Sequence, residues 1–119
     1  VHTIVGNLFS IVSQARYYQI FPAIGLPLPV HQPALRKPDA PLPLDGYHRF
    51  CEKFSELIGV LETAARENDV PLVDFYRSFL NARGDTQKDL FLEDGLHPNR
   101  QGHVRMAEKV VELFRRQRG

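Results

Sequence analysis

The sequence predicts an α/β fold in which helices cover a parallel sheet. Three stretches carry apolar residues at helical spacing, and two short apolar runs rich in aromatic and β-branched residues separate them. The order is therefore helix, strand, helix, strand, helix, which is the alternation expected when parallel strands are joined by helical crossovers. A chain of 119 residues has room for at most one domain.

The first two elements are an amphipathic helix over residues 4–16 and a strand over residues 18–24. In the helix, apolar residues recur at Ile4, Val5, Leu8, Ile11, Val12 and Ala15. The strand prediction rests on an apolar run that ends at Gly25. Pro22 weakens this prediction, because proline cannot donate a hydrogen bond to a sheet.

A proline-rich loop is predicted over residues 25–45. Most of the prolines lie between residues 22 and 43, where no apolar period is sustained, so we expect an irregular connection over the surface. Loops of this kind often carry function. Four apolar side chains permit an acyl-binding site here but do not require one, since leucines also anchor such loops: Leu26, Leu28, Val30 and Leu35.

A long helix, a second strand and a closing helix complete the chain. Asp45 offers a helix cap, and an apolar stripe runs from residue 47 to residue 65. The second strand is predicted over residues 70–75 and the closing helix over residues 98–116. The inner face predicted for the closing helix comprises Val104, Ala107, Val110, Val111 and Phe114. Right-handed crossovers would bring both strand ends to one edge of the sheet, where such sheets bind ligands.

Composition excludes several classes of function. The 15 basic and 14 acidic side chains leave a formal net charge of +1, so no overall field attracts nucleic acid. No apolar stretch is long enough for a membrane span, and no signal peptide is recognisable. The single cysteine, Cys51, excludes an internal disulfide. This fits a reducing, cytoplasmic compartment, although composition alone leaves the location unknown.

The segment Asp94-Gly95-Leu96-His97-Pro98 carries the clearest chemical signal. A carboxylate that accepts one ring N–H of a histidine fixes its tautomer, and it stabilises the imidazolium that forms when the other nitrogen takes a proton. Asp94 is spaced to do this for His97. Gly95 permits a turn with positive φ, and Pro98 suits the first helical position. A second interpretation remains open, in which Asp94 only caps backbone N–H groups and His97 is simply exposed.

Three strings of the sequence resemble the SGNH hydrolases, the GDSL-type esterase and acylhydrolase family. Residues 94–103, DGLHPNRQGH, with VRMAEKVVELF after them, resemble that family's last conserved block and closing helix. NLFSIVSQAR at residues 7–16 resembles the helix before its penultimate strand, and VPLVDFYRSF at residues 70–79 resembles its final strand. The resemblance implies a three-layer α/β/α fold with a parallel, flavodoxin-like sheet. Residues 1–119 would be a single domain or only the C-terminal part of that fold.

The same resemblance implies a serine-dependent hydrolase that acts on a small-molecule carboxylic ester. The family's catalytic aspartate and histidine map onto Asp94 and His97. Its serine comes from an N-terminal G-D-S block, and a glycine and an asparagine from two further blocks complete the oxyanion hole. This chain contains neither G-D-S nor G-x-N-D. We therefore expect the chain to be inactive alone. The alternative is a non-catalytic interaction module that retains the closing scaffold.

No residue of the chain is a convincing replacement for the missing serine. Ser78 follows the second strand, but its surroundings, YRSFL, form no nucleophile elbow. Cys51 lies on an apolar stripe and is expected to behave as a small buried hydrophobe. Gly6-Asn7 lies within the first helical pattern, which argues against an oxyanion role. The remaining serines considered fall on polar helical faces, where nothing activates a hydroxyl: Ser10, Ser13 and Ser55.

Neither a metal nor an organic cofactor is expected, while a protein partner is. His97 and His103 would fall on different helical faces, and no other histidine has a ligand partner at suitable spacing. His31 either lines the substrate crevice or is a solvated loop residue. Two parallel strands leave unpaired edges, so we expect pairing with a missing N-terminal half, or self-association through the incomplete sheet. The start at Val1 fits the loss of upstream sequence.

Overall fold

Three long helices and a short parallel sheet form the part of the chain that the structure describes. The structure is a computed structural model, and it describes residues 1–31 and 44–118, with side chains described for residues 1–31 and 49–117. Helix α1 spans His2–Tyr17, β1 Ile24–Gly25, α2 Leu44–Glu67, β2 Leu72–Val73, α3 Phe75–Ser78 and α4 Arg100–Arg118, with a 3₁₀ helix at Lys88–Leu90. Leu35 and most of the 25–45 loop lie outside this description, and so does the side chain of Asp45, the predicted cap.

The two strands pair in parallel, as the alternation of elements predicts. Ile24 lies opposite Leu72, and Gly25 lies opposite Val73. Glycine is required at position 25 by close packing, because a Cβ there would lie 2.5 Å from the Phe75 ring. Because the strands are parallel, the chain leaves both of them at the same edge of the sheet.

The prediction of a strand over residues 18–24 is wrong except at Ile24. Helix α1 ends in a turn in which Gln19 has a φ of 60° and Ile20 donates its N–H to the Ala15 carbonyl at 2.8 Å. Because the chain reverses here, the aromatic run that suggested a strand lies on the surface, and Tyr18 is 71% exposed. The strand starts only after this turn and Pro22.

The main core lies between α1, α2 and the sheet. It consists of two adjoining groups of buried side chains, Val5, Leu26, Ile58 and Leu61 in one and Val12, Ile24, Ala65 and Val70 in the other. Full burial of a side chain such as leucine or valine contributes about 1.5–3 kcal/mol. The apolar residues that recur at helical spacing therefore predict the positions of the first two long helices correctly. None of the described helices is long and apolar enough to cross a membrane.

A third apolar cluster supports the segment between β2 and α4. Phe79, Leu90 and Phe91 are buried, and the rings of Phe79 and Phe91 meet edge to face with centroids 5.3 Å apart. Gly102 of α4 packs so closely on this cluster that a Cβ would overlap the Leu90 carbonyl oxygen. The closing helix is thereby docked directly against the segment that precedes it.

Helix α4 begins later than predicted. Asn99 precedes its first turn, and its side-chain Oδ1 accepts the N–H of Gly102 at 2.9 Å, so Arg100 is the first helical residue. The Asn99 amide also donates to the Asp89 carbonyl at 2.7 Å. Pro98 does not occupy the first helical position, because it pairs with Phe91 in an isolated antiparallel bridge.

The inner face predicted for α4 is largely wrong. Leu113 is buried and Met106 packs on the third cluster, whereas Val104, Val111 and Phe114 are 53%, 45% and 56% exposed. Ala107 is also exposed, and Val110 is half-buried. Apolar residues occur on two sides of this helix, and the sequence pattern does not say which side meets the sheet.

Candidate active site

Asp94 and His97 lie in a tight turn between the 3₁₀ helix and α4. Leu92 donates its N–H to the His97 carbonyl at 2.9 Å, which closes a hairpin-like loop, and Gly95 donates to Leu92 at 3.0 Å within it. Gly95 has a φ of 68°, the conformation predicted from the sequence. The loop brings two side chains together, with Asp94 Oδ2 2.5 Å from His97 Nδ1. We call residues 92–97 the His97 loop.

Asp94 organises the backbone of the same loop. Its other oxygen, Oδ1, accepts the N–H groups of Leu96 at 2.9 Å and His97 at 3.0 Å. The backbone hydrogen bond from His97, the contact with its ring and the bond from Leu96 together lower the pKa of Asp94 to about 2. The two interpretations of the sequence are therefore compatible, since one oxygen caps the backbone while the other faces the imidazole.

The contact defines the protonation of the imidazole. An ionised carboxylate only accepts hydrogen bonds, so Nδ1 of His97 carries a proton toward Asp94 and Nε2 remains the basic atom. The two side chains are open to solvent, with His97 71% and Asp94 41% exposed. The imidazole is therefore exposed, and Nε2 is the ring atom that can accept a proton.

His31 reaches the His97 loop from the exit of β1. Its backbone N–H donates to the Gly95 carbonyl at 2.8 Å, and its Nδ1 lies 2.8 Å from Thr86 Oγ1. The ring also stacks on Phe91, with centroids 5.9 Å apart. Burial, followed by the nearby Lys88 charge, lowers the pKa of His31, so the ring is neutral at physiological pH. His31 is therefore half-buried and not a solvated loop residue, while its place in a substrate crevice stays a prediction.

A cavity of about 350 Å³ opens beside His31. Phe50, Phe54 and Tyr76 form one wall, with successive ring centroids 5.7 Å and 6.0 Å apart. Cys51 lines the cavity and is half-buried, rather than fully buried as predicted. We call this space the aromatic cavity. Sequence reasoning missed it, because its lining comes from the exit of β1, from α2 and from the segment after β2.

Among the described residues, none of the side chains considered as replacement nucleophiles forms a hydrogen bond with His97, whose ring contacts Asp94. Ser78 is buried, and its hydroxyl donates to the Phe75 carbonyl at 2.7 Å, which engages it in the short helix α3. Gly6 and Asn7 lie within α1, away from any strand exit. As predicted, three serines are exposed: Ser10, Ser13 and Ser55. In residues 1–31 and 44–118 no group of three or more His, Cys, Asp or Glu side chains is arranged to hold a metal ion.

One triplet that sequence reasoning passed over, Gly84-Asp85-Thr86, differs from G-D-S only in its hydroxyl residue. It lies on the rim of the aromatic cavity, and Thr86 pairs with Leu80 in an isolated antiparallel bridge. This is a hairpin, not the strand-to-helix turn that exposes a nucleophilic serine. The Thr86 hydroxyl is hydrogen-bonded to His31 Nδ1, so the triplet forms part of the cavity wall.

Comparison with known proteins identifies the family. The model of the GDSL-like lipase/acylhydrolase family matches residues 3–105. The chain belongs to this family. The resemblance seen in the sequence is thus confirmed over most of the chain. No curated protein gives a significant match to this GDSL-like chain.

Solved structures share the fold of this GDSL-like chain. A GDSL-like lipase from Bacteroides thetaiotaomicron matches with a TM-score of 0.70 and 19% identity, over 95% of this chain and 51% of that one. A proposed acylhydrolase from Bacteroides fragilis matches with a TM-score of 0.71 and 22% identity, over 95% and 50% of the two chains. At these identities the likeness establishes the fold. The present chain spans about half the length of these structures.

Proposed function

We propose that this chain is the part of an ester hydrolase that supplies the general base, His97, and its orienting carboxylate, Asp94. The nucleophilic serine and the oxyanion donors would come from outside these 119 residues. The observation that carries the proposal is the 2.5 Å contact between Asp94 Oδ2 and His97 Nδ1. Membership of the GDSL-like lipase/acylhydrolase family supports hydrolysis as the reaction.

The proposed mechanism gives each nitrogen of His97 a role. Nε2 takes the proton of the serine hydroxyl as its oxygen attacks the ester carbonyl carbon, and the imidazolium that results is stabilised by the charged Asp94 through Nδ1. The same imidazolium then protonates the leaving alcohol as the carbon–oxygen bond of the ester breaks. Water repeats these steps on the acyl-serine, which returns the serine hydroxyl and releases the acid. General base catalysis of this kind contributes typically about 10²–10⁴-fold.

The surfaces suited to the rest of such an enzyme are the exposed apolar sides of α1 and α4. On α1, Ile4 and Ile11 are 51% and 62% exposed, and on α4 the exposed side chains include Val104, Val111 and Phe114. The described strands form a two-stranded sheet, so strand edges are open as well. A covering N-terminal half is the occupant that accounts for both features, because the solved structures of this fold are about twice as long.

The proposal is tested with a fluorophosphonate probe and p-nitrophenyl acetate. The purified 119-residue chain should neither be labelled nor turn over the ester, because it lacks the activated serine. The protein encoded by the whole reading frame should be labelled at a serine outside these residues, and His97→Ala should abolish both labelling and turnover. His103→Ala is the matched control. His103 follows Gly102 in the sequence and is also an exposed histidine, but it has no role in the proposed mechanism.

Two results would overturn the proposal. One is labelling of the isolated chain, for instance at Thr86, with turnover that survives His97→Ala. The other is a protein from the whole reading frame that hydrolyses esters equally well with and without His97. A complete lack of hydrolysis in that protein would favour the non-catalytic module instead.

A further inference from the structure

We propose that the peptide bond between Asp94 and Gly95 is a modification site, at which aspartate converts spontaneously to isoaspartate when the His97 loop opens. The closed loop restrains the reaction, and the contact of Asp94 with His97 is one of these restraints. The reaction changes the chain itself and involves no ester substrate.

Asp94 is followed by glycine, the residue that hinders this reaction least. The backbone nitrogen of the following residue must approach the carboxyl carbon of the aspartate side chain, and glycine has no Cβ to obstruct the approach. The chain contains one further Asp-Gly pair, Asp45-Gly46. The Asp94 side chain is 41% exposed, so water reaches it. The sequence and the access to water that the reaction requires are therefore both present.

The conversion takes place in two balanced steps. The Gly95 nitrogen attacks the Asp94 carboxyl carbon and forms a C–N bond, while one carboxyl oxygen leaves as water with the amide proton and a proton from solvent. The product is a cyclic imide. Water then adds to one of its carbonyl carbons and breaks a ring C–N bond, which returns a proton to the nitrogen. Opening at the backbone carbonyl gives isoaspartate, whereas opening at the former side-chain carbonyl restores aspartate.

The closed loop holds the attacking nitrogen in place. The Gly95 N–H donates to the Leu92 carbonyl at 3.0 Å, so loss of its proton would break this hydrogen bond. The Gly95 carbonyl accepts the His31 N–H at 2.8 Å, which fixes the other side of the same residue to the exit of β1. Both polar backbone groups of Gly95 are thus bonded, and these bonds must break before the residue can turn toward the carboxyl group.

The carboxyl group of Asp94 is restrained at both oxygens. Oδ1 accepts the N–H of Leu96 at 2.9 Å and of His97 at 3.0 Å, and Oδ2 lies 2.5 Å from His97 Nδ1. These contacts, of which the backbone bond from His97 has the largest effect, lower the pKa of the carboxyl group and keep it ionised at neutral pH. An ionised carboxylate is a poorer electrophile than the protonated acid. Opening of the loop removes both the fixed orientation and this stabilisation of the charge.

The product does not reproduce the contacts of the loop. In isoaspartate the main chain passes through the former side-chain carbons, so the backbone is one carbon longer and the free carboxylate is attached directly to Cα. That carboxylate is shorter than the side chain that bridges the Leu96 amide and the His97 ring. Conversion should therefore separate the carboxylate from Nδ1 of His97. Under the proposed function, this change would inactivate the enzyme.

Isomerisation is measured in the purified 119-residue chain, incubated at neutral pH either folded or in urea. Enzymatic methyl transfer from S-adenosylmethionine detects isoaspartate, and tryptic peptides locate it, because Asp94 lies in residues 89–100 and Asp45 in another peptide. In urea the two Asp-Gly pairs should isomerise at similar rates. In the folded chain the rate at Asp94 should be at least about tenfold lower than in urea, since hydrogen bonds to a charged group must first break.

Variants at position 97 test the contact itself. His97→Ala removes the ring from Oδ2 and should raise the rate at Asp94 in the folded chain by about tenfold. His97→Asn keeps an N–H donor close to the place of Nδ1 and should keep the rate near that of the parent chain. His103→Ala is the matched control, because it changes an exposed histidine outside the loop, and it should have no effect. The rate at Asp45 is the internal reference in every sample.

Amide hydrogen exchange tests whether the reaction depends on opening of the loop. The N–H groups of Gly95, Leu96 and His97 are all bonded within the closed loop, so their exchange requires it to open. His97→Ala should raise these exchange rates and the isomerisation rate at Asp94 by a similar factor.

Three results would overturn the proposal. The first is a lack of isoaspartate at Asp94 in urea. The second is an equal rate at Asp94 in urea and in a chain that retains its helical circular dichroism. The third is faster isomerisation in His97→Ala without faster amide exchange. Each of these results leaves the role of His97 as a base untouched, because that role is decided by fluorophosphonate labelling and ester turnover.

Discussion

At the scale of single residues, the sequence predicts short-range geometry well and long-range geometry poorly. The contact of Asp94 with His97 spans three positions, and the turn chemistry of Gly95 makes it predictable. The partner of the His31 ring, Thr86, lies 55 positions further along the chain. No local pattern marks such a pair, so His31 remains ambiguous until the two strand exits are placed side by side.

The depressed pKa of Asp94 leads to a prediction for the pH dependence of the His97 loop. Ionised Asp94 stabilises the loop, and its pKa falls from 3.8 to about 2 in the folded chain. Its stabilising contribution is therefore complete above pH 3.8 and is lost as the pH falls toward 2. The amide signals of Leu96 and His97 in an NMR titration should change with a midpoint near this lower value.

Asp94→Asn is the control for this titration. The neutral amide keeps an oxygen for the backbone bonds but does not titrate, so the acid transition of Leu96 and His97 should disappear. In the active protein the same change should lower kcat by up to about 10⁴-fold, because the imidazole loses the acceptor that sets its tautomer. An unperturbed midpoint near pH 3.8 in the parent chain would contradict the geometry of the loop.

At the scale of elements, the apolar patterns predict the order and type of the long helices, and the errors concern ends and faces. The strand predicted over residues 18–24 fails because a turn with Gln19 at positive φ ends α1. The face of α4 is mispredicted because the helix is apolar on two sides, and contact with Phe79 and Leu90 selects the side that carries Gly102. Selection of this kind depends on tertiary packing.

Gly102 and Gly59 make a matched pair for testing that packing. Gly102→Ala should destabilise the fold by about 1–3 kcal/mol, because the new methyl group would overlap the Leu90 carbonyl and lie 2.8 Å from Pro98 Cβ. Gly59 is an exposed helical residue of α2 with open space around it. Gly59→Ala should stabilise by about 0.5–1 kcal/mol, since alanine favours the helix. Urea denaturation measures both changes, and equal effects would refute the docking of α4.

At the scale of the whole molecule, the sequence resemblance predicts the fold because the matching strings cover most of the first helix, the second strand with its exit, and most of the closing helix. The family match over residues 3–105 and the solved structures agree with it. What the sequence does not reveal is the aromatic cavity, whose walls come from segments that only the folded chain assembles.

The open apolar sides of α1 and α4 predict association of the isolated chain. Apolar patches of this kind are rare on stable monomers, so the purified chain should form dimers or larger species in light scattering. A double variant, Val111→Ser with Phe114→Ser, should shift it toward monomer. Leu92→Ser is the control, because Leu92 is 52% exposed but lies in the His97 loop and on neither helix. A parent chain that is a compact monomer would contradict this prediction.

The closure of the His97 loop between Leu92 and His97 has a consequence for how such an enzyme can be divided. The hydrogen bonds of Asp94 to Leu96 and His97 lie within a few residues, so the pair itself costs little loop-closure entropy. The long-range bond from the His31 N–H to the Gly95 carbonyl joins the loop to the exit of β1 within the same chain. In the proposed enzyme only the serine would come from outside these residues, so separating the two parts should lower the effective concentration of the serine at His97 and leave the Asp94–His97 contact intact. Under the proposed function the chain would serve as one fragment of a split reporter, in which ester hydrolysis measures the encounter of the two parts.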